Sequence, residues 1–154
     1  MQARRYFPII TEIICFLFIL LFSYAAISKL LDFEQFRIQL GQSPLLTSFA
    51  GWVVWVIPIV ELIIALMLII PRLRLSALYG CLGLMGLFTM YIIAILNFSD
   101  YVPCSCGGIL EKLGWQEHLI FNISFTVLAL IGIWIYPEND TKLKTTFPDK
   151  KQFI

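Results

Sequence analysis

The chain has 154 residues, of which 60% are hydrophobic and only 14% charged, with a net charge of +1 and a mean hydropathy of +0.88. Soluble domains carry about 25% charged residues, so a water-soluble domain, a disordered chain, a coiled coil and a nucleic-acid platform are all poor readings. Four cysteines are too few and too scattered for a secreted disulfide scaffold.

A bilayer-spanning helix needs roughly 17–25 mostly apolar residues, and the chain offers four such stretches, at about 6–31, 49–70, 75–98 and 117–136. The first is interrupted only by Glu12 and Lys29, the second only by Glu61, and the third carries no charge; Leu119 to Tyr136 carries none either. Gln42-Ser43-Pro44, Pro71-Arg72-Leu73-Arg74 and Pro137-Glu138-Asn139-Asp140 punctuate the gaps. No ten-residue alternation of polar and apolar side chains marks barrel strands. The expected fold is an all-α bundle of four transmembrane helices, one domain over 1–140, followed by a basic tail over 141–154. The first stretch exceeds the 7–15 residues of a signal-peptide core and reads as a permanent helix.

Lysine and arginine set the orientation. Arg4, Arg5, Arg72, Arg74, Lys142, Lys144, Lys150 and Lys151 fall on one side, against Lys29, Arg37 and Lys112 on the other, eight to three. Both termini are therefore expected in the cytoplasm, with the segments near 32–48 and 99–117 facing outward. Trp52, Trp55, Tyr101 and Trp115 gather at that outer interface as an aromatic belt. Within Asp32 to Leu40, the spacing of Phe33, Phe36, Arg37 and Leu40 predicts a short amphipathic helix on the outer surface.

The outward stretch Tyr101-Val102-Pro103-Cys104-Ser105-Cys106-Gly107-Gly108 carries the most chemistry. Disulfides persist outside the cytoplasm. A Cys-x-Cys bond closes a very small ring, whose strain suits an exchanger better than a staple. Pro103 fixes the approach of the chain and the two glycines let a partner come close. A passive loop clip is the plainer reading. Metal binding by Cys104, Cys106 and His118 is a third, against which stands their short spacing; no metal ligands are assigned. As a redox accessory, His118 at the start of the fourth helix stabilises a thiolate or carries its proton. Cys15 and Cys81 lie toward the other side and read as packing residues.

Glu61 sits three residues after Pro58 in the middle of the second span. A carboxylate at that depth faces the bundle interior, is protonated or is paired. It reads either as a proton relay and head-group ligand or as one half of an interhelical hydrogen bond to Thr89, Tyr91 or Asn122. Lys29 is expected to snorkel outward to Asp32, and Glu12 to reach the opposite interface. His118, Asn122 and Thr126 recur every four residues, one polar stripe with Trp115 a turn earlier. Gly80, Gly83 and Gly86 read as a close-packing stripe in the third span.

Three pieces together carry a resemblance: Tyr24-Ala25-Ala26-Ile27-Ser28-Lys29-Leu30-Leu31-Asp32-Phe33 with Phe36, then Trp55 to Glu61, then Pro103-Cys104-Ser105-Cys106-Gly107-Gly108 with Trp115, His118 and Asn122. The sequence resembles the DoxX-like superfamily of four-helix membrane proteins, and within it the MauE branch, over about residues 7 to 136. The resemblance implies a multi-pass protein of the bacterial cell inner membrane linked to extracytoplasmic thiol–disulfide handling, with Cys104, Cys106 and His118 as the reactive set. It also implies a quinone as candidate cofactor, near Glu61, Asn122 and Trp115. The plan is similar to quinone-coupled disulfide generators, which use a second, shuttling cysteine pair; here the expected source of that pair is a partner, an extracytoplasmic thioredoxin-fold protein or another membrane protein. The lipid bilayer is the other expected partner, and no nucleic acid is. A non-catalytic small subunit or assembly factor of a larger membrane complex is the alternative, with the cysteine loop as a docking element.

Overall fold

The computed structural model describes residues 7–42, 48–98 and 114–136. These form α1 (Phe7–Leu31), α2 (Phe33–Gln42), α3 (Ala50–Ile69), α4 (Arg74–Phe98) and α5 (Trp115–Ile135), with a 3₁₀ turn at Pro71–Leu73 between α3 and α4. The four long helices have 25, 20, 25 and 21 residues, and at about 1.5 Å per residue each is long enough to cross the roughly 30 Å apolar layer of a bilayer. The expected all-α, four-span architecture is what the chain adopts, and it is a multi-pass membrane protein.

α1 packs chiefly on α3 and α4 on α5, with α3–α4 and α1–α5 closing the ring. Near one end of the bundle Arg74, opening α4, lies 3.5 Å from Glu12 of α1. There too, the Tyr136 hydroxyl, just past α5, donates to the carbonyl of Pro71. That end therefore gathers the start of α1, the α3–α4 turn and the end of α5. The half of the bundle nearest it holds a tight apolar core around Phe18, Phe22, Leu68, Leu78, Cys81 and Ala129. The Phe125 ring meets Phe18 edge-on at 5.4 Å. Cys15 and Cys81 are free, buried thiols of this core, the packing role expected of them.

Most of the outward surface is apolar. Phe16, Trp52, Leu66, Leu87, Met90, Ile120 and Trp134, spread over all four long helices, are more than half exposed. A soluble monomer rarely shows contiguous apolar patches beyond a few hundred Å², whereas lipid is a suitable solvent for such a surface.

The glycine stripe of α4 is only partly a packing device. A Cβ on Gly80 would stand 3.3 Å from the Ile64 side chain, but Gly83 and Gly86 face nothing within 4 Å. The tighter contact is at Gly132 of α5, where a Cβ would meet Ile14 at 3.1 Å and Leu78 at 3.4 Å. Which glycine is needed depends on inter-helix register.

α2 follows α1 after a break at Asp32 and packs on α3. Phe36 and Leu40 bury against Ala50 and Val54, and the Phe33 and Trp55 rings lie 4.6 Å apart. Glu34, Gln35 and Arg37 remain exposed. The amphipathic spacing thus makes a helix whose apolar side covers the first turns of α3, so that α1 ends short of where α3 begins.

Candidate functional site

That offset changes the surroundings of Lys29. In a helix the Cα–Cβ bonds tilt toward the N-terminus, so a lysine near the C-terminal end points back along its own helix. Lys29 Nζ lies 3.3 Å from the carbonyl of Ala25, one turn earlier. It donates to Glu61 Oε1 at 2.8 Å. The expectation that Lys29 snorkels outward to Asp32 is therefore corrected: it turns inward, 14% exposed, to a Glu61 that is fully buried. Phe36 and Phe88 flank the ammonium, each ring centroid 5.9 Å away.

The same geometry answers the question raised by Glu61. Its interhelical partner is Lys29. Thr89 gives its hydroxyl hydrogen to the Met85 carbonyl, and Asn122 donates to the carbonyl of His118. Glu61 Oε2 is buried and has no hydrogen-bond partner among the described residues.

The ion pair lines a cavity of about 90 Å³. α1 supplies Phe22, Tyr24 and Ala25 beside Lys29; α4 supplies Met85, Phe88 and Tyr91. From the first two turns of α5 come Trp115, His118, Phe121 and Asn122. The polar stripe of α5 is present as spaced: Asn122 is buried, and Thr126 donates back to the Asn122 carbonyl at 2.8 Å. His118 Nδ1 is buried, with no hydrogen-bond partner among the described residues.

Of the residues singled out in the sequence, Glu61, Trp115, His118 and Asn122 meet in this one cavity. Tyr91, named there beside Glu61, is in the wall as well, and Lys29, Tyr24 and Phe88 join them although none was chosen as a site residue. Trp52 and Trp55 stay on the outer surface, 79% and 53% exposed, while Trp115 is half-buried in the cavity wall. Cys104 and Cys106 lie outside the described residues, as do Tyr101 and the 141–154 tail. Among the described residues, no three His, Cys, Asp or Glu side chains cluster as metal ligands.

A family model described as methylamine utilisation protein MauE matches residues 7–135, from the first turn of α1 to the last of α5. The chain belongs to the MauE family. No curated protein and no solved structure gives a significant match. The span matched in this MauE-family chain includes all five helices and every residue of the cavity wall.

Proposed function

We propose that this MauE-family chain is a thiol–disulfide redox protein of the bacterial inner membrane. Cys104 and Cys106 are the exchanging pair, and an extracytoplasmic thioredoxin-fold protein is the partner. The observation that carries this reading is the position of the polar cavity. It is walled by the opening turns of α5, at the end of the bundle where the chain leaves α4 and returns. Cys106 precedes His118 by twelve residues, the last four of them in α5, so the cysteines enter the chain only a short link before the helix that walls the cavity. The exchange runs in either direction: a thiolate of one protein attacks the disulfide of the other to give a mixed disulfide, and a second thiolate releases it. A disulfide then stands on one protein and a dithiol on the other, with two electrons transferred. His118, with Nδ1 unpartnered at the cavity wall, takes or returns the thiol proton.

The cavity residues also fit a quinone ring. Aromatic faces from α1, α4 and α5 line it, and polar groups of Lys29, Glu61, His118 and Asn122 lie at its wall. Such a group, when bound, accepts two electrons and two protons. Lys29 and Asn122 would hold ring oxygens and Trp115 would cover a ring face. Inclusion in the wider DoxX-like superfamily belongs to the same proposal. So do cytoplasmic termini, supported by the eight-to-three split of Lys and Arg, and a single domain over 1–140 with a cytoplasmic tail over 141–154.

The test is the redox state of the pair in membranes. Thiols are trapped with a membrane-impermeant alkylating reagent across a series of glutathione poises, in a Cys15→Ala/Cys81→Ala background. A reversible two-electron transition, with mixed disulfides captured by Cys104→Ser or Cys106→Ser, is expected. A pair locked in one state at every poise and capturing no partner overturns the exchanger and leaves the small-subunit reading.

A further inference from the structure

We infer that the cavity binds the reduced, dihydroxy-aromatic ring of a lipid-soluble quinol in preference to its oxidised form, with Glu61 Oε2 accepting the hydrogen bond of a ring hydroxyl. The inference rests on the quinone reading of the cavity and adds the ligand's preferred state, and with it the favoured direction of electron flow.

The argument is one of donors and acceptors. Lys29 serves Glu61 Oε1 and the Ala25 carbonyl with two of its three ammonium hydrogens, and the third can meet a ring oxygen of either redox form equally. What remains buried at the wall without a partner among the described residues is an acceptor, Glu61 Oε2, together with His118 Nδ1. A buried carboxylate oxygen without a donor is costly. A quinone carbonyl has no hydrogen to give it, whereas a quinol hydroxyl does, in a charge-assisted bond of the stronger kind. The route of access points to a lipid-phase ligand. Glu61 is fully buried eleven residues into α3, and Tyr24, on the cavity wall, is 40% exposed on a helix whose outward face is apolar. Phe22, Phe88 and Phe121 give a flat ring its stacking surfaces. A tenfold preference for the reduced ring raises the potential of the bound two-electron couple by about 30 mV. The bound oxidised ring is then the stronger acceptor, which favours flow from the thiols toward it.

The experiment uses the full chain in lipid nanodiscs, carrying Cys104→Ser and Cys106→Ser so that no thiol chemistry contributes. A short-tailed hydroquinone and the matching quinone are titrated separately, without oxygen, by calorimetry. The hydroquinone is expected to bind at least tenfold more tightly. Glu61→Gln, which can donate as well as accept, should bring the two affinities within threefold. Lys29→Met/Glu61→Gln, which leaves no unpaired charge if the single variant unfolds, should do the same. Equal affinity for both forms in the parent chain overturns the inference while leaving the quinone site standing. Binding of neither form overturns the quinone site as well, and thiol exchange is then judged by the trapping experiment alone. An undiminished preference in both Glu61 variants removes Glu61 from the role.

Discussion

Lys29→Met is the substitution that most directly tests the packing of the site. It removes an ammonium 2.8 Å from a carboxylate oxygen whose residue is wholly buried. At that separation the gross attraction is about 6 kcal/mol for an effective dielectric near 20. The net value of the pair is far smaller, because both ions were taken out of water. Losing one partner is the expensive event, at about 3–5 kcal/mol, since it strands the other charge. Replacing both ions by apolar side chains of similar volume is often neutral. The expected pattern for Lys29→Met, Glu61→Met and the double variant is therefore two badly destabilised singles and a double closer to the parent than either. Reversible unfolding in mixed detergent micelles, followed by circular dichroism, measures the cycle. Asp32→Asn, at an exposed position, should change stability by no more than about 0.5 kcal/mol. A double variant as unstable as the sum of the singles would refute the pairing, and a large Asp32 effect would put Lys29 back at the surface.

Gly132→Val forces its side chain into Ile14 and Leu78, 3.1 and 3.4 Å from the first added carbon, and should cost about 1–3 kcal/mol by overpacking. Gly83→Val, with nothing within 4 Å, should stay within about 0.5 kcal/mol in the same unfolding assay; equal losses would mean that the α1–α4–α5 register is different. Phe36→Ala removes the main apolar contact of α2 with Ala50 and Val54. It should speed amide exchange across Phe33–Gln42 by at least tenfold, read by mass spectrometry, while the α1 core around Phe18 stays protected. Unchanged α2 exchange would show that α2 is held by something other than this face.

The four spans could be read because lipid imposes a simple demand: about twenty apolar residues in a row, with no exception for loops. α2 could be read for a related reason, since Phe36 and Leu40 must cover something while Arg37 stays wet. Glu61, His118 and Asn122 stood out because an intramembrane polar group is costly enough to mark a site by itself. Lys29 was misplaced because two facts are absent from a linear pattern. One is the backward tilt of helical side chains; the other is the register between α1 and α3, which brings together residues 32 positions apart. The glycines failed in the same way. Gly80, Gly83 and Gly86 share a spacing, yet only the first meets Ile64, and isolated Gly132 has closer neighbours than any of the three.

The distribution of polar groups divides the bundle into two parts with different physical roles. Near the α3–α4 turn, the core of Ile14, Phe18, Leu68, Leu78 and Ala129, with the buried thiols of Cys15 and Cys81 packed among them, is apolar; its close packing fixes the spacing of all four long helices. Toward the other end that packing gives way to a cavity in which a charge pair, an imidazole and an amide face one another across three helices and the buried edge of α3. Such a group of polar side chains is tolerable in a membrane only where neighbouring helices hold it in place. The rigid half supplies that restraint. Glu61 belongs to both parts: its carboxylate closes the cavity, while Ile64, Ala65 and Leu68, within the next two turns of α3, are already in the apolar core. A change in the occupancy of the cavity is therefore expected to be felt first at the α1–α3 contact through Lys29, and least at the α3–α4 turn, where no cavity residue reaches.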